Sequence, residues 1–279
     1  MTRRPVRPGR AAAGGSNSFK TAIGIGLMVF VAIAVISIGG YAAYMSATKR
    51  PVDRTTGCPT THYDSITAVM IDLTDPISKA QEQRLLHELD LIRHKIPKYG
   101  RLEIYLINQA AGKSTEPLFA ACSPGSGTDI SSSLYANPAL AQQVWQRQFG
   151  DKVAKALADA LKADPSKTSP LFEAIQFTAV KAFSTPIAQA SKNKRLVVVS
   201  DMLHNTPEVN FFQGVPRFSQ FKQRQYYNAI KPQLHDADVD VMFLVRMTAN
   251  NVQRPPLYQF WVEFFEDGKG FLRDWTIIQ

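Results

Sequence analysis

The sequence predicts a mostly parallel, doubly wound α/β sheet preceded by one transmembrane helix, and three observations carry that prediction. Between Lys20 and Lys49 lie 28 residues without a charged side chain. Beyond residue 63, short β-branched apolar runs alternate with segments of helical period, the order that gives parallel strands joined by right-handed crossovers. With 45% hydrophobic and 20% charged residues the chain buries a core, which excludes collagen-like, mucin-like and wholly disordered classes.

The elements follow in order. Residues 1–20 form a basic tail, and Ile23 to Ile38 is almost unbroken hydrocarbon. At a rise of about 1.5 Å per residue, roughly 20 residues cross a bilayer core, so residues 21–45 span it with some tilt. Tyr41 and Tyr44 fall where an interfacial aromatic belt belongs. Arg3, Arg4, Arg7, Arg10 and Lys20 precede the span and Lys49, Arg50 and Arg54 follow it, a bias that keeps the N-terminus cytoplasmic. The expectation is a single-pass inner-membrane protein with its C-terminal domain in the periplasm. A cleaved signal peptide is the rival, and the apolar stretch is longer than the usual 7–15 residues of that class. Gly39 and Ala43 form a small-xxx-small pair that ordinary membrane composition also explains.

Net charge is +9, but residues 1–57 hold eight basic side chains and one acid, leaving 24 basic against 22 acidic beyond them. The folded part therefore lacks the excess that nucleic-acid binding needs. Residues 46–63 mix Lys, Arg, Pro, Thr and Gly and read as a linker, with the domain expected over 64–279. Cys58 and Cys122 are the two cysteines, both beyond the span, and a disulfide between them suits an oxidising compartment.

Within the domain, Ile66–Asp72 reads as a buried strand and Ser78–Ile96 as a helix stopped by Pro97 and Gly100. Arg101–Asn108 alternates as a strand, and Leu118–Cys122 as a short neighbour. Two helices, 138–163 and 170–183, flank a turn at Asp164-Pro165. Arg195–Ser200 is the clearest buried strand, followed by a helix over 218–234 and a strand over 239–245. Tyr258, Phe260, Trp261, Phe264 and Phe265 give the helix over 257–265 a core-facing aromatic stripe, and Trp275–Ile278 fits an edge strand.

In open α/β sheets ligands bind beyond the carboxyl ends of the strands, where the strand order reverses. The first strand ends in Asp72-Leu73-Thr74-Asp75-Pro76-Ile77-Ser78, and the Val-rich strand in Ser200-Asp201-Met202-Leu203-His204. Between them Ser169 stands before Pro170, as a cap before a first-turn proline, in Ser-Pro-Leu-Phe-Glu-Ala-Ile. His204 and the pair Phe211-Phe212 lie in the loop beyond: the histidine reads as loop decoration, the pair as a candidate exposed apolar contact.

These three segments, in this order, resemble the von Willebrand factor A domain. The resemblance covers residues 64 to about 279. It implies a Rossmann-like fold and a metal-ion-dependent adhesion site built from Asp72, Thr74, Ser169 and Asp201. Pro76 stands where the family carries a second hydroxyl, leaving Asp75 and Ser78 as substitutes. A hard cation such as Mg²⁺ or Mn²⁺, held by few charges, keeps coordination positions open. The implied partner is a protein that presents an acidic contact residue, in an assembly or scaffold role without catalysis. The plain structural alternative has these four residues cap turns and helices. The functional alternatives are a metal-dependent hydrolase using Asp72, Asp75 and Asp201, and a metal-free interaction domain. No Gly-x-Ser-x-Gly elbow or Gly-rich phosphate loop occurs, and His87-Glu88 lacks the second histidine of a zincin pair.

Overall fold

The computed structural model describes residues 16–47, 50–107, 116–129, 137–162, 166 and 168–279. Arg3, Arg4, Arg7 and Arg10 of the basic tail, Lys49, Asn108, Ala163, Asp164 and Pro165 lie outside the described residues. The chain divides into two units, Met1–Arg50 and Pro51–Gln279.

The first unit is helix α1, Ser16–Ala47. Its stretch Ala22–Tyr44, 23 residues, is long and apolar enough to cross a membrane.

The second unit is a six-stranded sheet in the order β3-β2-β1-β4-β5-β6. Its strands are β1 (Ser65–Asp72), β2 (Arg101–Ile107), β3 (Phe119–Cys122), β4 (Asn193–Ser200), β5 (Ala237–Leu244) and β6 (Gly270–Ile278). All neighbours pair in parallel except β2 and β3, which are antiparallel. This is the predicted von Willebrand factor A-like arrangement. Strand order reverses between β1 and β4, whose carboxyl ends stand side by side.

Side-chain alternation along β1 divides the core. Ile66, Ala68 and Met70 face one apolar layer and Val69 and Ile71 the other, so helices cover both faces. On the second face lie α2 (Lys79–Lys95), α3 (Pro138–Trp145) and α4 (Asp151–Ala160), the last two joined by a π-helical turn. Leu85, Leu89 and Ile92 are the buried apolar positions of α2, as their spacing predicts. On the first face lie α5 (Leu171–Phe183), α7 (Phe218–Phe221), α8 (Gln225–Ile230) and α9 (Pro255–Asp267); the short α6 (Pro186–Gln189) follows α5.

The single helix expected over 218–234 is instead α7 and α8. The buried pairs are Phe218 with Phe221 and Tyr227 with Ile230. At about 100° per residue one continuous helix would put those pairs on opposite faces, and the turn at 222–224 lets both reach the core. The aromatic stripe of α9 is core at Phe260, Trp261, Phe264 and Phe265, while Tyr258 is exposed against Trp275.

The linker expected over 46–63 is folded onto the domain from Pro51 onward. Val52 bridges Pro59, Cys122 N–H donates to the Thr56 carbonyl at 2.9 Å, and Tyr63 N–H donates to Ser191 Oγ at 3.0 Å. The disulfide Cys58–Cys122 is present, fixing this segment to the edge strand β3.

Candidate functional site

Asp72 and Asp201 meet at the reversal point. Asp72 is the last residue of β1 and Asp201 follows β4, both almost fully buried. Asp72 Oδ1 accepts from Thr74 N–H at 3.2 Å, and its Oδ2 accepts from Ser169 Oγ and Ser200 Oγ, each at 2.9 Å. Asp201 Oδ1 accepts from Leu203 N–H at 2.9 Å, and its Oδ2 from Arg246 Nε at 3.1 Å. Burial, and after it the charge of Asp72, push the Asp201 carboxyl above the ordinary carboxylate range against the pull of Leu203 and Arg246.

The backbone next to Asp201 is strained. Met202 adopts φ 61°, a left-handed conformation that costs a side-chain-bearing residue about 1 kcal/mol or more. Two bonds hold it there: Met202 N–H donates to Ser200 Oγ at 2.8 Å, and Trp261 Nε1 donates to the Met202 carbonyl at 3.0 Å.

Three loops interlock around the pair. Ser169 and Asn205 exchange backbone hydrogen bonds of 2.9 Å, and Ser166 N–H donates to the Thr74 carbonyl at 2.9 Å. They enclose an open cleft of ≈ 340 Å³ lined by Thr74, Asp75, Ser166, Ser169, Asn205 and Phe212, among others. Phe212 and, just past β5, Met247 are 42% and 82% exposed.

The structure thus brings Asp72, Thr74, Ser169 and Asp201 together, with Asp75 on the cleft wall. Ser78 is used elsewhere: its hydroxyl caps α2 by accepting from Gln81 N–H at 3.1 Å. Ser169 is not the helix cap its position suggests. Pro170 occupies the cap position of α5 with no side-chain cap bond, because the Ser169 hydroxyl is drawn to Asp72. His204 is not loop decoration: it is fully buried and stacks on Phe172 at 4.1 Å between ring centroids. Burial pushes its pKa down to about 3, and its Nδ1 accepts from Phe172 N–H at 3.4 Å. Of the Phe211-Phe212 pair only the second is exposed.

Ser200, Arg246 and Gln253 escape the sequence reading. Arg246 Nη2 donates to the Asp75 carbonyl at 3.1 Å and its Nη1 to the Pro76 carbonyl. Gln253 Oε1 accepts from Arg246 N–H at 2.7 Å, while its Nε2 donates to the carbonyls of Asp201 and Leu244 at 3.1 and 3.0 Å. A signal for Arg246 was available: it is the first charged residue after a buried strand, at the same end of the sheet as Asp72 and Asp201.

As arranged, these residues do not fit a divalent ion. Both Asp201 oxygens are engaged, one by Leu203 N–H and one by a guanidinium, and Pro76 contributes a carbonyl to that same guanidinium in place of a hydroxyl.

No protein-family model and no curated protein matches the chain. Among solved structures it is similar to an aerotolerance-related membrane protein from Bacteroides fragilis NCTC 9343 carrying multiple mutations to serines. Identity is 13%, coverage 77% of this chain and 92% of that one, and the TM-score 0.32. It is also similar to the conserved hypothetical protein BatB from Bacteroides thetaiotaomicron, at 11% identity, 77% and 90% coverage and a TM-score of 0.33. These likenesses are too distant to define a family for this chain.

Proposed function

We propose that this chain is a single-pass inner-membrane protein whose domain, exported to the periplasm, binds another protein at the carboxyl end of its sheet as an assembly or scaffold component. The observation that carries the proposal is a polar site at the strand reversal, locked by its own hydrogen bonds, beside a cleft lined by the exposed ring of Phe212. An exposed aromatic side chain at the mouth of a polar cleft suits the anchor of a docking surface. The disulfide and the basic residues before the span support export.

Binding rather than turnover suits the disposition of the candidate groups. Ser169 and Ser200 are buried and donate to Asp72, and His204 is held neutral under Phe172, away from the role of a base.

Charge selects the partner. One guanidinium stands against the carboxylates of Asp72, Asp75 and Asp201, so the acidic contact expected of a metal-centred site does not suit this surface. A Lys or Arg side chain does: the cleft offers it the Asp75 carboxylate, hydroxyl acceptors and the ring of Phe212.

Site-specific photo-crosslinking of the full-length protein in membranes tests this. Crosslinkers at Phe212 and Met247 are expected to give one common adduct that Asp75→Arg abolishes and that Lys192, at the opposite end of the sheet, does not give. Adducts from Lys192 alone, or none sensitive to Asp75, would refute the docking surface.

A further inference from the structure

The reversal point concentrates negative charge. Asp72 and Asp201 are buried on adjacent strand ends, and Asp72 is met by dipoles: one backbone N–H and two hydroxyls. Arg246 supplies the compensating cation. Its side chain is 12% exposed, and each of its three nitrogens is bonded: Nε to Asp201, Nη2 to the carbonyl of Asp75 and Nη1 to that of Pro76. Gln253 fixes the backbone on both sides of that contact, accepting from Arg246 and donating to Asp201. The guanidinium therefore ties together the loops that follow β1, β4 and β5.

Those are the tasks a divalent ion would perform here: neutralise the carboxylates and pin the first loop to the fourth strand. The departure at Pro76 belongs to the same arrangement. A proline offers no side-chain oxygen, but its carbonyl suits a donor such as a guanidinium, which has five N–H groups and no acceptor. Arginine stays charged at any physiological pH and cannot be removed by chelation.

We infer that Arg246 is the built-in cation of this site, standing where a divalent metal would stand, so that the site is complete without metal and acquires affinity for one only when Arg246 is removed. The inference rests on reading this end of the sheet as the working site. Its test reads stability and metal response, which a failed search for the partner would leave untouched.

The experiment is a set of thermal melts of the full chain in mild detergent, with EDTA and with millimolar MgCl₂ or MnCl₂ at matched ionic strength. The wild type is expected to melt at the same temperature in all three. Arg246→Ala should melt lower in EDTA, by roughly 5 °C, because two buried carboxylates lose their counter-charge. Millimolar Mn²⁺ or Mg²⁺ should restore at least half of that loss, and adding Asp201→Asn should abolish the restoration. Arg246→Lys, which keeps the charge, should stay insensitive to metal. Arg246→Gln repeats the metal arm in case the alanine variant does not fold. A wild type stabilised by Mn²⁺ or Mg²⁺ would overturn the inference, and so would neutral variants at position 246 that ignore both metals.

Discussion

Arg101 and Arg246 each meet a buried carboxylate, at opposite ends of the sheet, and their surroundings differ in charge balance. At the amino end of β2, Arg101 Nε donates to Glu103 at 2.5 Å, Tyr105 donates to the same carboxylate at 2.5 Å, and the Arg101 guanidinium lies over the Tyr63 ring. One cation faces one anion there. Burial and Glu103 keep the Tyr105 hydroxyl protonated, well above the ordinary tyrosine range. At the carboxyl end, Arg246 faces Asp201 while Asp72 stands behind it, so one cation serves two anions. The first arrangement is closed and sits beside the disulfide, with Arg101 reaching Cys58 Sγ at 3.4 Å. The second gives its cation to Asp201, leaves Asp72 to one N–H and two hydroxyls, and holds a strained Met202 beside an open cleft.

The largest effect that would sharpen this contrast lies at the closed end. Replacing Cys58 and Cys122 together by Ser frees a loop of 64 residues' separation and should cost about 4 kcal/mol in the chain-entropy model. Denaturant melts of oxidised wild type and the double variant measure it. A loss below about 1 kcal/mol would mean that hydrogen bonds alone hold residues 51–63.

Next come the carboxylates. Glu103→Gln breaks a balanced pair and should cost about 3 kcal/mol. Asp201→Asn should cost only about 1 kcal/mol, since losing the Arg246 contact is partly offset by relief of repulsion from Asp72. Equal losses in urea melts would erase the distinction between the two sites.

A pH-dependent effect, smaller than that at Glu103, belongs to His204. Its folded pKa of about 3 lies below the ordinary 6.5, so the unfolded chain takes up a proton that the folded chain refuses. Its contribution is fully present above pH 6.5 and is lost as pH falls toward 3, by about 2 kcal/mol between pH 6.5 and 5. Asp201 titrates with the opposite sign: its pKa is raised by burial and by Asp72, so the folded chain binds the extra proton more readily and stability rises as pH falls toward the ordinary carboxylate range. The measurement is therefore made in the Asp201→Asn background, where His204→Gln should flatten the acid limb. An unchanged slope would show that His204 is solvated.

Much of this was legible in the sequence because it depends on local pattern. β-branched runs gave β1 and β4, apolar spacing gave α2, and the grouping of Asp72, Thr74, Ser169 and Asp201 came from the resemblance to the von Willebrand factor A domain. What stayed hidden depends on which loops meet. Ser169 looks like a cap until Asp72 is seen to claim its hydroxyl, and nothing local to Arg246 reveals that it reaches back 171 residues to Asp75. The break between α7 and α8 was hidden for another reason: it has no Gly or Pro, and only the requirement to bury Phe218 and Tyr227 on the same core enforces it.

A double-mutant cycle between Asp201 and Arg246 tests most directly the claim that the guanidinium holds this site together. Asp201→Asn, Arg246→Gln and their combination would be compared with wild type by urea denaturation in EDTA. Because both side chains are nearly buried, at 5% and 12% exposure, the coupling should be about 2 kcal/mol, and Arg246→Gln alone should cost more than the double variant. A coupling below about 0.5 kcal/mol, with the two losses simply adding, would contradict the account.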